Sequence, residues 1–423
     1  MSPTRAVRRR SRAAIVAAVT ASLLASVAVG VAPANADPVR DRQYWLAEYG
    51  ISAAWQTTRG AGVTIAVIDS GVDGSVAELQ GAVVGGADFS GNGSSDGQTP
   101  VGVTGSEHGT MVASLAAGRG TGGDNGVIGA APAASILAIS IGFGDGATDA
   151  DEQIAAAVRF AVDNGADVIN MSLTRNTLEW PVSWDEAFLY AMDNDVVVVA
   201  AAGNRGSGTT TVGAPATMPG VLTVAGVDAS GQASFDASAQ GITIGVSAPS
   251  EDLVGVLPDG SYVTWSGTSG AAPIIAGIVA LVRASHPELD AANVINRVVS
   301  TARDAGARGA DAIYGFGLVD AQAAVTASVP RVTENPMGSL AEWVTIYRRA
   351  ASTAPPIPTP TATNVAPPPV AEGPRSPLGS VLPTVNQLRN VGVPLAVILL
   401  FAGILAGVLT LAFRRFRRAR QRE

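Results

Sequence analysis

Thr264-Trp265-Ser266-Gly267-Thr268-Ser269-Gly270-Ala271-Ala272-Pro273 runs a Gly-Thr-Ser turn into the apolar segment Ile274 to Val282. That segment reads as a helix, so the Ser269 hydroxyl lies near a helix N-terminus. Unpaired backbone N–H groups and the positive end of the helix dipole favour developing negative charge there. Ser269 is therefore the candidate nucleophile. A hydroxyl is a weak nucleophile at neutral pH and needs a base, and the base needs a carboxylate to orient it. Counting nearly fixes the base, because the chain holds two histidines. His286, in the polar break Ser285-His286-Pro287-Glu288, reads as a surface loop residue. His108 opens a small-residue apolar helix, with Gly109 behind it to let another segment come close.

The carboxylate comes from Val63-Thr64-Ile65-Ala66-Val67-Ile68-Asp69, a β-branched run that reads as a buried strand ending in an acid. Asp69 alone could be a turn-former or helix cap. At the carboxyl end of a buried strand, however, it lies where open α/β sheets bind ligands, and it can hold one imidazole nitrogen while the other faces a serine. A second buried strand, Val196 to Ala202, ends in Gly203-Asn204. Gly-Asn is a common turn pair, but the Asn204 amide can also donate a hydrogen bond to a tetrahedral oxyanion. Further strands read within 129–140, after a Pro-containing turn, and at 168–174, and further helices at 149–164 and 184–194, with Ile154, Val158, Ala161 and Val162 on one helical face. Strands alternating with helices imply an α/β fold with a mostly parallel central sheet covered on both faces.

The four motifs occur in the order Asp69, His108, Asn204, Ser269, and on these residues the sequence resembles the subtilisin-like serine proteases (subtilases) over roughly 60–324. The resemblance implies a three-layer fold and a Ser-His-Asp triad, with Asn204 and the Ser269 N–H forming the oxyanion hole. It also implies that Ser172, Leu173 and Thr174 form a cleft wall along which a polypeptide substrate adds as a strand. Ala202 and Gly203 would bound the side-chain pocket. Three positions depart from the family pattern. Thr174 replaces the usual Gly and is expected to reshape the first pocket. Glu107 stands where many relatives have Gly, in reach of raising the imidazole pKa if it turns inward, although a solvated orientation is expected. Gly270 replaces a larger apolar residue, at a helix-propensity cost of roughly 1 kcal/mol relative to Ala, and is expected to loosen the nucleophile turn.

Residues 1–36 open with five arginines, continue with an apolar run and close with Ala34-Asn35-Ala36, the plan of a cleavable secretory signal. Residues 37–59 are too short for a folded prodomain. They read as a helical N-terminal extension packed on the domain through Tyr44, Trp45 and Trp55. The peptidase domain is expected over 60–330, followed by a helical segment and Pro-rich linker at 331–390. Residues 391–413 carry no charge and are long enough to span a bilayer. Six arginines at 414–423 place the tail in the cytoplasm and the domain outside by the positive-inside rule.

At 423 residues and 47% hydrophobic, with no cysteine, the chain must cohere by packing without disulfides or thiolate metal sites. Between 37 and 413, 16 basic residues face 34 acidic ones, a balance of −18, and every basic residue is Arg. Such an exported acidic domain argues against nucleic acid as a partner. The loop Gly91 to Gly97 could hold calcium through Asp96, but without an acid-rich ligand spacing it reads better as a solvated loop, and no cofactor is expected.

The layout of signal, short extension, subtilase domain, tether, span and Arg tail resembles the mycosins, the membrane-anchored proteases of type VII secretion systems. The expected function is a single-pass, membrane-anchored serine endopeptidase with its catalytic domain outside the cell membrane and type VII secretion components as partners. The alternatives are a structural subunit of a secretion complex with secondary proteolysis, and a general surface protease.

Overall fold

Strands β1 (Thr64–Asp69), β2 (Val83–Asp88), β3 (Ser135–Ser140), β4 (Val168–Met171), β5 (Val197–Ala201), β6 (Leu222–Val227) and β7 (Ile244–Pro249) form one seven-stranded sheet in the order β2-β3-β1-β4-β5-β6-β7. Every pairing in it is parallel. The computed structural model describes residues 38–123, 125–142 and 149–348, which lie in one compact unit. The signal expected at 1–36, the linker expected beyond 348, the span expected at 391–413 and the tail expected at 414–423 lie outside the described residues. Strand periodicity sets the layers. On β1, Ile65 and Val67 join one core cluster while Ala66 and Ile68 join the other.

Helices α1 (Pro38–Asp41), α2 (Trp45–Glu48), α3 (Ile51–Ala54), α4 (His108–Ala117), α5 (Ala150–Asp163), α6 (Val182–Asp193), α7 (Thr268–Ser285), α8 (Ala291–Ser300), α9 (Ala321–Thr326) and α10 (Leu340–Trp343) complete the regular α-structure. Apolar residues of α4, α7 and α8 belong to the first cluster, and those of α5 and α6 to the second. A three-layer α/β architecture with a parallel central sheet is thus present, as expected. Asp149 caps α5 by accepting the Asp151 N–H, and Ile154, Val158 and Ala161 are buried as their spacing requires. Among the described residues, α7 is the one helix long and apolar enough to cross a membrane, but it is mostly buried in the core.

Two boundaries differ from the sequence reading. The strand expected over 168–174 leaves the ladder after Met171, because Ser172 turns to hydrogen-bond the start of α7. Helix α6 begins at Val182 rather than Trp184, directly after Pro181. His286 lies in the loop after α7, as its sequence context suggests, and is partly buried. Its Nε2 donates to the Val325 carbonyl at 2.7 Å, because α9 passes over the end of α7.

The N-terminal segment packs on the domain through apolar burial and hydrogen bonds. Trp45 is fully buried, and the Trp55 indole donates to Ala130 O at 2.8 Å. Buried Gln43 both donates to Ile128 O and accepts from Ile128 N. Arg42 donates to Thr264 Oγ1 at 3.2 Å, and the Tyr44 hydroxyl to Glu251 O at 2.9 Å. These last two bonds brace the antiparallel hairpin of β8 (Leu253–Val256) and β9 (Tyr262–Trp265), which leads into the nucleophile turn.

Candidate active site

Strand order reverses at β1, which lies between β3 and β4, and Asp69 is its last residue. Crevices at such switch points are where open α/β sheets hold ligands. Asp69 is 3% exposed, and its Oδ1 accepts the Ser70 N–H at 2.7 Å. His108 Nδ1 lies 2.8 Å from Oδ1 and 3.0 Å from Oδ2. The approach depends on Gly109: a Cβ there would collide with the Gly71 carbonyl and lie 3.2 Å from Asp69 Cβ. With Nδ1 donating to a carboxylate, Nε2 is the imidazole nitrogen left to accept a proton.

Burial is the largest single influence on His108 and opposes protonation. The Asp69 charge, the Asp69 hydrogen bond and the charge of Glu107 together outweigh it, so the imidazole pKa is raised above its ordinary value. A base works only when neutral, so a raised pKa moves the acid limb of activity upward. Replacing Glu107 by glutamine is expected to lower the His108 pKa and carry the acid limb of kcat/KM to lower pH. An acid limb at unchanged pH in Glu107→Gln would show that this carboxylate does not act on the base.

Ser269 is the second residue of α7, so its N–H belongs to the turn whose donors have no intrahelical acceptor. Its hydroxyl donates to Ser172 O at 3.2 Å. In return the Ser172 hydroxyl donates to Ser269 O at 2.8 Å, and buried Asn170 donates to Ser172 Oγ at 3.0 Å. Passing the hydroxyl proton to His108 requires the hydroxyl to leave Ser172 O.

Asn204 is held by Thr268. Its Oδ1 accepts the Thr268 N–H at 2.7 Å and the Thr268 hydroxyl at 2.9 Å, while Thr268 Oγ1 accepts the Gly203 N–H at 3.0 Å. With Oδ1 engaged, Nδ2 is the amide atom left to donate. Asn204→Ala is expected to lower kcat by about 10²–10³ with KM nearly unchanged, the range for one oxyanion donor, for which subtilisin is the reference case. Steady-state kinetics check it, and a rise in KM at constant kcat would place Asn204 outside the oxyanion site.

The cleft is a cavity of about 640 Å³ lined by Asp69, His108, Val101, Val103 and the segment Ser172, Leu173 and Thr174. Ala202 and Gly203, expected to bound the side-chain pocket, follow β5 on the way to Asn204. Ala202 is fully buried in the second core cluster. The Gly203 Cα is faced by methyls of Thr209 and Thr174, so Thr174 fills the gap between the two walls.

Gly270 also receives a physical reason. A Cβ at this position would overlap Leu253 Cδ1 and lie 3.3 Å from the Trp265 ring, so neighbours occupy the space of the missing side chain and the nucleophile turn is packed tightly. In the loop at 91–97, Asp96 accepts from Ser94 Oγ, Gln98 N and Gln98 Nε2, so its oxygens serve the turn. Among the described residues no group of three or more His, Asp or Glu is placed to hold a metal. The sequence reading missed Thr268, Asn170 and Trp265. The detectable signal was a polar amide inside the apolar run Val168-Ile169-Asn170-Met171 and a threonine at the first helical position.

The sequence profile of the subtilase family (Peptidase S8) matches residues 60–317. Subtilisin E of Bacillus subtilis (strain 168) is 38% identical over 268 residues, a match covering 63% of this chain and 66% of that protein, slightly under two thirds of its length. Mycosin-3 of Mycobacterium tuberculosis is 35% identical over 338 residues, covering 66% of this chain and 71% of that protein. A solved structure of the MycP3 protease from the type VII (ESX-3) secretion system superimposes with a TM-score of 0.57 at 34% identity, covering 67% of this chain and 88% of that one.

Proposed function

Because this chain belongs to the subtilase family, we propose that it is a serine endopeptidase working through Asp69, His108 and Ser269, with Asn204 and the Ser269 N–H as oxyanion donors. The observation that carries this reading is the Asp69–His108 hydrogen bond of 2.8 Å at the carboxyl end of β1, together with an Asn204 amide oriented by the residue before Ser269. Ser269 Oγ attacks a peptide carbonyl carbon as His108 Nε2 takes its proton, and the carbonyl oxygen becomes an oxyanion. The C–N bond then breaks, the leaving amine takes the proton from His108, and water activated by the same base releases the acyl group. Ser172, Leu173 and Thr174 line the cleft directly after β4, where a polypeptide strand could lie alongside them. No metal or cofactor enters these steps.

Similarity to a mycosin and to a protease of a type VII secretion system supports the finer reading. In it the domain is exported by the signal at 1–36, anchored by the span at 391–413 with the Arg tail in the cytoplasm, and partnered by type VII secretion components in the membrane. The test is to incubate the purified full chain with an unfolded polypeptide and read new N-termini by mass spectrometry. Cleavage by wild type and none by Ser269→Ala is the expected result. Equal cleavage by both would assign it to a contaminant. No cleavage by a folded wild-type chain would leave the structural-subunit reading in its place.

A further inference from the structure

His108 is anchored through Nδ1 alone and keeps a side chain 31% exposed, so Asp69 by itself does not fix the tilt of the ring. A second contact exists. The Trp265 ring meets the imidazole edge-to-face, with centroids 5.7 Å apart and planes at 74°. The six-membered ring of the same indole, at Cη2 and Cζ2, lies 3.3 Å from where a Cβ on Gly270 would stand. One side chain therefore spans from the base to the residue following the nucleophile.

The indole is itself held. Gly255 faces it, with Trp265 Nε1 2.9 Å and Met111 Cβ 3.0 Å from the position of an added Cβ. Leu253, directly opposite Trp265 in the hairpin register, fills the space above Gly270. The hairpin is tied at its base by the Gly267 N–H to Ser250 O bond of 2.7 Å and by the Asp252 N–H to Ser266 Oγ bond of 3.2 Å. Trp265 Nε1 is buried and makes no hydrogen bond, a cost of about 1–3 kcal/mol that an apolar ring would avoid. A residue that only filled space would be better served by phenylalanine or leucine; the indole adds the breadth that reaches both His108 and Gly270.

Resting on the reading of His108 as the base, we propose that Trp265 is a positioning residue that holds the imidazole toward Ser269. It acts through His108 and touches no reacting atom. Displacement of a reacting group by about 1 Å can cost on the order of 10²-fold in rate, so loss of the indole should appear in the rate of the chemical step and not in binding.

The test uses the full chain and a fluorophosphonate probe, measuring the maximal labelling rate of Ser269 and the half-saturating probe concentration separately. Trp265→Ala should lower the maximal rate about 10- to 100-fold with half-saturation within about twofold, and Trp265→Phe, which keeps a ring beside His108 without the reach to Gly270, should restore it only in part. Trp265→Leu, which keeps apolar bulk on the hairpin without a ring, should behave like the alanine variant and serves where alanine fails to fold. An unchanged maximal rate in a folded Ala or Leu variant overturns the proposal, as does a change confined to half-saturation. Failure of wild type to label at all would instead sink the protease reading, so the two failures are distinguishable.

Discussion

Ser269→Ala is expected to lower kcat by on the order of 10⁶, the loss known for the nucleophile of subtilisin, a relative of this chain. The fold should survive. The Ser269 hydroxyl makes one hydrogen bond, to Ser172 O, and that carbonyl borders the cleft. The other half of the clamp, Ser172 Oγ to Ser269 O, uses backbone and remains. Removing the hydroxyl should therefore cost about 1 kcal/mol or less. Turnover measured beside thermal unfolding separates the two effects, and substantial residual turnover in the folded variant would take Ser269 out of the mechanism.

Asp69→Asn is expected to lower kcat by on the order of 10⁴ at neutral pH, although the side chain keeps its shape. The Ser70 N–H needs an acceptor at Oδ1, so the amide Nδ2 of the variant turns toward His108. Nδ1 must then accept, which moves the imidazole proton to Nε2, the nitrogen that has to take the Ser269 proton. The variant also loses the largest influence that raises the His108 pKa, so the acid limb should shift to lower pH while the maximum falls. A variant with near-normal kcat and an unmoved limb would contradict the role given to this carboxylate.

How much of this was legible beforehand follows the physics of each signal. Buried parallel strands write themselves as continuous β-branched runs, so 63–69 and 196–201 could be read directly, and the acid or amide ending each run marked the rim of the sheet. Helix α5 was equally legible, because its apolar face repeats at helical spacing and Asp149 caps it. Contacts between distant segments were not. That His108 and Asp69 meet at 2.8 Å depends on Gly109 fitting against Gly71, 38 residues apart in the sequence. Ala202 and Gly203 were assigned to the pocket on the family resemblance alone, and the packing of Ala202 in the second core cluster and of Gly203 against Thr209 could not be read from the sequence. Gly270 looked like a weakness in helix propensity. Its reason lies in Leu253, brought over it by a hairpin that sequence periodicity does not place.

The central claim is that Ser269 is an activated nucleophile served by His108. The most direct measurement is labelling of the purified chain with a serine-directed fluorophosphonate, followed by peptide mapping of the modified residue. The account predicts a single label on Ser269 in wild type and its loss in His108→Ala at the same protein concentration. A folded chain that takes no label, or that takes it on another serine independently of His108, would contradict it.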